Sequence, residues 1–332
     1  MSVSPFSHIA VLGAGAWGTA LALASLAAGR KTTLWVREDD VLASIKARGE
    51  NRFLPGVTLP KELIATGDLA EAAKADALLL VVPAQVLHGF ADRLQPLIAT
   101  GTPLVICAKG IEQGSGKLVT EVLAEAAPQA AAAILSGPSF ARDVARGLPT
   151  AVTIAAKGDL AAQLQASLGS ATFRPYASDD LTGVALGGAA KNVYAIACGV
   201  VEGMGLGENA RAALLARSFA ELARLGEALG AKRETLMGLS GLGDLVLTAT
   251  GDLSRNRQVG LQLAQGRTLA QAVQSLGHVA EGVYCARTVV QRAAGLGVDM
   301  PIARAVVALL DGALTPQAAV ADLMGREARA ER

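Results

Sequence analysis

The sequence predicts an α/β protein in two parts, a doubly wound parallel sheet followed by an all-helical half. Three observations predict it. Up to about residue 180, short apolar runs alternate with helical stretches, the pattern of βα units whose sheet is covered on both faces. Beyond that point the patterns are long, Ala/Leu-rich and helical. The chain is also 332 residues long, 52% hydrophobic and only 3% aromatic. That length suits two domains of roughly 100–200 residues each, and the bias suits helices and buried parallel strands.

The elements follow in order. Ser7–Leu12 has the pattern of a strand, and Trp17–Ala28 that of a helix ended by Gly29. Thr32–Val36 is β-branched and strand-like, and stops at the charged Arg37–Asp40. A helix over Val41–Arg48 and a polar loop over Asn51–Pro60 come next. Apolar runs at Ala77–Val82, Pro103–Ala108 and Ala132–Leu135 supply further strands, and Ala151–Ala155 and Ala171–Pro175 extend the sheet. Helical patterns then cover Val184–Val201, Asn209–Gly230, Thr268–Leu276, Gly282–Leu296 and Ile302–Leu310. Leu245–Thr248 fits a short strand or a helix equally well. These patterns divide the chain into a sheet domain, residues 1–182, and a helical domain, residues 183–332, joined near 178–186. The tail Arg326–Arg332 is expected to be disordered.

Charge and cysteine usage exclude several classes. With 30 basic and 29 acidic side chains the formal net charge is +1, so no global field recruits nucleic acid or an anionic membrane. Any anionic ligand must be met by local groups. Cys107, Cys198 and Cys285 are widely separated and without metal-ligand spacing, which fits free thiols in a reducing cytoplasm and no bound metal. The uncharged stretch Ile9–Gly29 has the length of a membrane span, but it lacks a basic start and carries Gly13, Gly15, Gly18 and Gly29. It divides instead into a strand and a helix, so no integral membrane segment is expected.

Between that strand and helix lies Gly13-Ala14-Gly15-Ala16-Trp17-Gly18, a G-x-G-x-x-G turn in the context the motif requires. Gly13 permits the tight turn, Gly15 lets backbone approach a pyrophosphate, and Gly18 lets the helix pack on the strand. The helix N-terminus adds unpaired N–H groups and partial positive charge. This is the Rossmann-type arrangement for a dinucleotide. Arg37, at the end of the second strand, favours NADP(H) by matching a 2′-phosphate. In the alternative, Glu38 takes the ribose hydroxyls and the cofactor is NAD(H).

Further clusters fall after the carboxyl ends of strands, where such sheets bind ligands: Ala108-Lys109-Gly110-Ile111-Glu112 and Ser136-Gly137-Pro138-Ser139-Phe140-Ala141. In the helical half, Lys191 and Asn192 sit in the small-residue segment Leu186–Asn192, and Gly241-Leu242-Gly243-Asp244-Leu245 and Ser254-Arg255-Asn256-Arg257 complete the set. Reduction of a ketone requires a proton donor of suitable pKa at the oxygen. His8, His88 and His278 lie outside all the clusters. Lys191 is the better candidate, because burial and a neighbouring cation lower a lysine's pKa towards neutrality. Arg255 offers a planar pair of N–H donors suited to a phosphate, with Ser254 and Asn256 beside it.

At these residues the chain resembles the bacterial NAD(P)-dependent glycerol-3-phosphate dehydrogenase family. The matching stretches are GAGAWGTAL, AKGIE, SGPSFA, LGGAAKNVYAIACG, GLGDLVLTAT and SRNR, then Glu281-Gly282 and Met300-Pro301-Ile302, in the family's order and over nearly the whole chain. The resemblance implies reversible reduction of dihydroxyacetone phosphate to sn-glycerol 3-phosphate, with Lys191 as acid and base. It implies that Lys109 contacts both cofactor and substrate and that Asp244 orients Lys191 or binds a substrate hydroxyl. Ser254, Arg255 and Asn256 would hold the substrate phosphate, with Gly137 and Ser139 adding contacts across the cleft and Arg257 packing outside. Ala16, Trp17, Ala141, Arg255, Val279 and Glu281 are carried over as cofactor contacts. Ala16 departs from the hydroxyl residue common at that place, so only backbone can serve there. A homodimer is also implied. Two rivals stand against this reading: a dehydrogenase of similar build acting on another hydroxy or keto acid, and a non-catalytic NADP-sensing module.

Overall fold

The computed structural model describes residues 3–276 and 280–327. One eight-stranded sheet forms the first half, in the order β3-β2-β1-β4-β5-β6-β7-β8. Its strands are β1 (His8–Leu12), β2 (Lys31–Trp35), β3 (Ile64–Thr66), β4 (Ala77–Leu80), β5 (Pro103–Ile106), β6 (Ala131–Ser136), β7 (Thr150–Ala156) and β8 (Phe173–Ser178). The first six have the 3-2-1-4-5-6 order of dinucleotide-binding sheets, whose chain direction reverses between β1 and β4 and leaves a crevice at their carboxyl ends. The central strands β1, β4 and β5 are almost wholly buried, as apolar runs covered on both faces must be. Helices α1 (Ala16–Ala27), α2 (Asp39–Arg48), α3 (Leu69–Ala72), α4 (Leu87–Leu94), α5 (Val119–Ala126), α6 (Ala141–Ala145) and α7 (Leu160–Leu168) connect the strands.

Two features differ from the sequence expectation. The short β3 lies inside a stretch too polar and too brief to show alternation. The sheet is also not all parallel, because β7 pairs antiparallel with β6 and β8 then pairs parallel with β7. The pattern of a single short strand carries no record of its direction, which is set by the neighbour it pairs with.

The helical half begins with α8 (Leu181–Gly203), capped by the Asp180 carboxylate on the Gly183 N–H. Around it pack α9 (Gly207–Ala228), α10 (Arg233–Met237), α11 (Asp244–Thr250), α12 (Arg255–Ala264), α14 (Glu281–Gly295) and α15 (Pro301–Leu310), with α13 (Leu269–Leu276) on α12 and α16 (Pro316–Met324) on α15. The Leu245–Thr248 ambiguity resolves as helix, and a π-turn over Leu239–Gly243 precedes it. By length and hydropathy α8 could cross a membrane, yet the apolar stretch is wholly buried in the protein, as a core helix is. Ile9–Gly29 forms β1, the turn and α1. Arg326, placed in the expected disordered tail, pairs with Asp299 at 2.6 Å, while residues 328–332 lie outside the described residues.

Candidate active site

The glycine turn is built by exclusion. Gly13 has φ +123°, and a Cβ there would lie 2.4 Å from the Val81 carbonyl oxygen; one on Gly18 would lie 1.8 Å from that of Gly13. At Gly15 the opposite holds: the residue is exposed and a Cβ would meet nothing within 4 Å. That open space adjoins the N-terminus of α1, whose first turn carries no acidic residue. Among the described residues, the N–H groups of Gly15, Ala16 and Trp17 have no acceptor. The turn therefore fits a pyrophosphate held by backbone donors. Ala141 opens α6, which packs against α1. Arg37 and Glu38 form an ion pair at 2.5 Å, with the arginine side chain 75% exposed.

Across the crevice, three of the singled-out residues meet in one cluster. Asp244 is 1% exposed and accepts Lys191 Nζ on Oδ1 at 2.5 Å and Lys109 Nζ on Oδ2 at 2.7 Å. Lys109 extends from the end of β5 and also donates to the Gly137 carbonyl at 2.9 Å. Lys191, in the middle of α8, also donates to Thr248 Oγ1 at 2.9 Å. Thr248 is one helical turn after Asp244 and donates to its carbonyl at 2.7 Å, so α11 presents both groups on one face. Burial pushes the Lys191 ammonium down to about 7; Asp244 resists this and Lys109 adds to it. Ser139 Oγ donates to the Gly137 carbonyl at 3.0 Å. Gly137 has φ +147°, with no room for a Cβ beside Val152.

The SRNR residues divide between two jobs. Arg255, at the N-terminus of α12, is exposed, and among the described residues it is held by no ion pair. It lies near Glu281, whose carboxyl is pushed up by burial and partly drawn back by Arg255. Glu281 Oε2 is buried and has no hydrogen-bond partner among the described residues. Ser254 caps α12 by accepting the Arg257 N–H at 3.3 Å. Asn256 is buried in an amide relay: it donates to Asn192 Oδ1 at 2.9 Å and accepts the Gly282 N–H at 2.9 Å. Arg257 is engaged by two carboxylates instead. It is buried, with its Nε 2.7 Å from Glu202 and an Nη 3.1 Å from Asp252, because α12 crosses α8 closely enough to bring the guanidinium over that carboxylate. Val279 and His278 lie outside the described residues. His8 bonds Thr33 and His88 is a surface residue near Asp92 and Glu112. Sequence reasoning missed Thr248 as a site residue; an Asp–Thr spacing of four would have shown it, once that segment was taken as helical.

A dinucleotide turn on one wall and a buried lysine–aspartate–lysine cluster on the other define a pyridine-nucleotide-dependent oxidoreductase. Comparison with known proteins narrows the class. The family pattern of the NAD-dependent glycerol-3-phosphate dehydrogenase N-terminus matches residues 8–162, and that of its C-terminus matches residues 180–321. A glycerol-3-phosphate dehydrogenase (NAD(P)+) of Parvibaculum lavamentivorans is 56% identical over 328 residues, 98% of each chain. One from Bradyrhizobium sp. strain BTAi1 is 57% identical over 327 residues, 98% of this chain and 99% of the other. The crystal structure of glycerol-3-phosphate dehydrogenase from Coxiella burnetii superposes with a TM-score of 0.91 at 42% identity, covering 97% of this chain and 99% of that one. The chain belongs to the NAD-dependent glycerol-3-phosphate dehydrogenase family.

Proposed function

We propose that this enzyme reversibly reduces dihydroxyacetone phosphate to sn-glycerol 3-phosphate with NAD(P)H, supplying the glycerophospholipid backbone, and that Lys191 is its general acid and base. The observation that carries the reading is the Lys109–Asp244–Lys191 cluster. A buried ammonium whose pKa lies near 7 can both lose and regain a proton at neutral pH.

In this reading residues 1–182 form the cofactor domain and residues 183–332 the substrate domain. The backbone donors of Gly15, Ala16 and Trp17 would hold the pyrophosphate, with Gly13 and Gly18 shaping the turn and Ala141, Arg255, Val279 and Glu281 lining the rest of the cofactor site. When bound, the reduced nicotinamide supplies a hydride to the carbonyl carbon. Lys191 then gives its proton to the carbonyl oxygen as charge develops there, and Asp244 keeps the ammonium aimed. Lys109 adds a second positive charge beside the same oxygen, which stabilises a forming alkoxide. Arg255 grips the phosphate, assisted by the Ser254 hydroxyl and the N-terminus of α12. Asn256 contributes through the amide relay as well as towards the phosphate, while Gly137 and Ser139 close the opposite wall. In oxidation the proton moves the other way. The enzyme acts as a cytoplasmic homodimer in this reading; the three buried thiols support a reducing compartment, and the family resemblance supports the dimer.

NADP(H) is the favoured cofactor because the exposed Arg37 can turn from Glu38 to a 2′-phosphate. Steady-state kinetics with dihydroxyacetone phosphate, NADPH and NADH tests the whole reading. Turnover with this substrate is expected, and no absorbance change would sink it. In the same assay Arg37→Asp should raise the KM for NADPH about tenfold or more while sparing NADH, the effect of replacing a charge-assisted bond by repulsion.

A further inference from the structure

The loop after α2 reaches back to the glycine turn. Asn51 is 3% exposed, and both of its amide hydrogens are used: Nδ2 donates to the Ala14 carbonyl at 2.8 Å and to Thr19 Oγ1 at 2.8 Å. Its Oδ1 accepts the Phe53 N–H at 2.9 Å, which leaves one orientation of the amide that satisfies every partner. Thr19 Oγ1 donates in turn to the Ala14 carbonyl at 3.3 Å. The loop is itself held, since the Leu54 N–H bonds the Asn51 carbonyl at 2.9 Å and Glu50 bridges Thr58.

We propose that Asn51 is a positioning residue for the cofactor: by holding the Ala14 carbonyl inward it turns the Gly15 N–H outward to the pyrophosphate. The peptide unit is planar and trans, so its C=O and N–H point to opposite sides. With the oxygen tied to Asn51 and Thr19, the Gly15 N–H faces the open space at the exposed tip of the turn. Glycine at 15 makes the opposite rotation easy. A flipped peptide would set a carbonyl oxygen against the phosphates, replacing an attractive contact by a repulsive one. Asn51 thus acts on the part of the cofactor shared by NADH and NADPH, from 37 residues away in sequence.

The proposal rests on the dehydrogenase reading and is tested on the full-length protein. Cofactor binding is followed by NADH and NADPH fluorescence without substrate, for the wild type, Asn51→Ala and Asn51→Asp. The Kd for both cofactors should rise by a common factor, about tenfold for Asn51→Ala, the loss of roughly one buried hydrogen bond. Asn51→Asp should bind more weakly still, because it sets a carboxylate against the Ala14 carbonyl. At saturating cofactor, kcat and the KM for dihydroxyacetone phosphate should stay at wild-type values. Should either variant misfold by circular dichroism, Thr19→Val, which removes one arm of the anchor, must shift both Kd values in the same direction. Unchanged Kd values in folded variants would overturn the proposal, as would a fall in kcat in proportion to binding. A wild-type chain that binds neither cofactor would overturn the dehydrogenase reading as well.

Discussion

Lys191 is only 6% exposed, between a carboxylate that favours its charge and a second ammonium that opposes it. The balance gives opposite pH profiles for the two directions of reaction. In the proposed mechanism reduction needs the ammonium, so kcat/KM for dihydroxyacetone phosphate should fall as pH rises through about 7. Oxidation needs the neutral amine, so kcat/KM for glycerol 3-phosphate should rise over the same range. Because the substrate phosphate titrates nearby, Asp244→Asn is the discriminating variant. It removes the group that holds the Lys191 pKa up, and both inflections should move to lower pH; an unmoved inflection would assign the titration to the phosphate. Lys191→Ala should lower turnover about 10²–10⁴-fold, the usual range for a positioned acid.

Among the elements, α8 and α12 meet backbone to backbone. A Cβ on Gly199 would lie 2.1 Å from the Arg257 carbonyl oxygen, and one on Gly260 would lie 2.0 Å from that of Ile196. This close crossing brings Arg255 to the mouth of the site and the Arg257 guanidinium onto Glu202. Gly199→Ala should therefore destabilise the protein by about 1–3 kcal/mol or more, the cost of overpacking, despite the better helix propensity of alanine. Gly89→Ala is the internal control: in α4 the added methyl would meet nothing within 4 Å, and a gain of about 0.5–1 kcal/mol is expected. Denaturant unfolding should show the two shifts with opposite sign. The sequence marked SRNR as chemistry but did not reveal it as the start of a helix. Its run is polar, and its burial comes with the close approach of Gly199 on a neighbouring helix to the Arg257 carbonyl, a pairing that local pattern does not encode.

At the scale of the whole molecule, the sheet and helical halves are tied by Arg292. From α14 it donates to both oxygens of Glu121 in α5, at 2.7 and 2.8 Å, and to the Gly116 carbonyl at 2.6 Å. Burial raises the Glu121 carboxyl, but Arg292 and the Leu118 N–H overcome that and hold it below its ordinary range. Its stabilisation is therefore present above pH 4.5, the unfolded value, and is lost as pH falls through the lower folded one. Arg292→Ala should cost about 1 kcal/mol at pH 7, allowing for solvent screening of a half-exposed carboxylate. Denaturant titrations should show the difference from wild type shrinking below about pH 4.5. A constant difference down to pH 3 would show that Arg292 acts through packing alone.

The glycine turn, the strands that bracket it and the long buried α8 were legible in the sequence, because each depends on local spacing or on an apolar period. The antiparallel β7 was not, since the alternation of one strand reads the same in either direction and only its pairing with β6 sets it. Nor was the joining of Lys109, Asp244 and Lys191 through one carboxylate: these residues are 135 and 53 positions apart in sequence, and the sequence could place them in one site only by resemblance. Asn51 makes the same point for the opening motif. The sequence by itself determined that a glycine turn could meet a dinucleotide; which way its peptide faces was decided by a side chain that only the tertiary fold brings beside it.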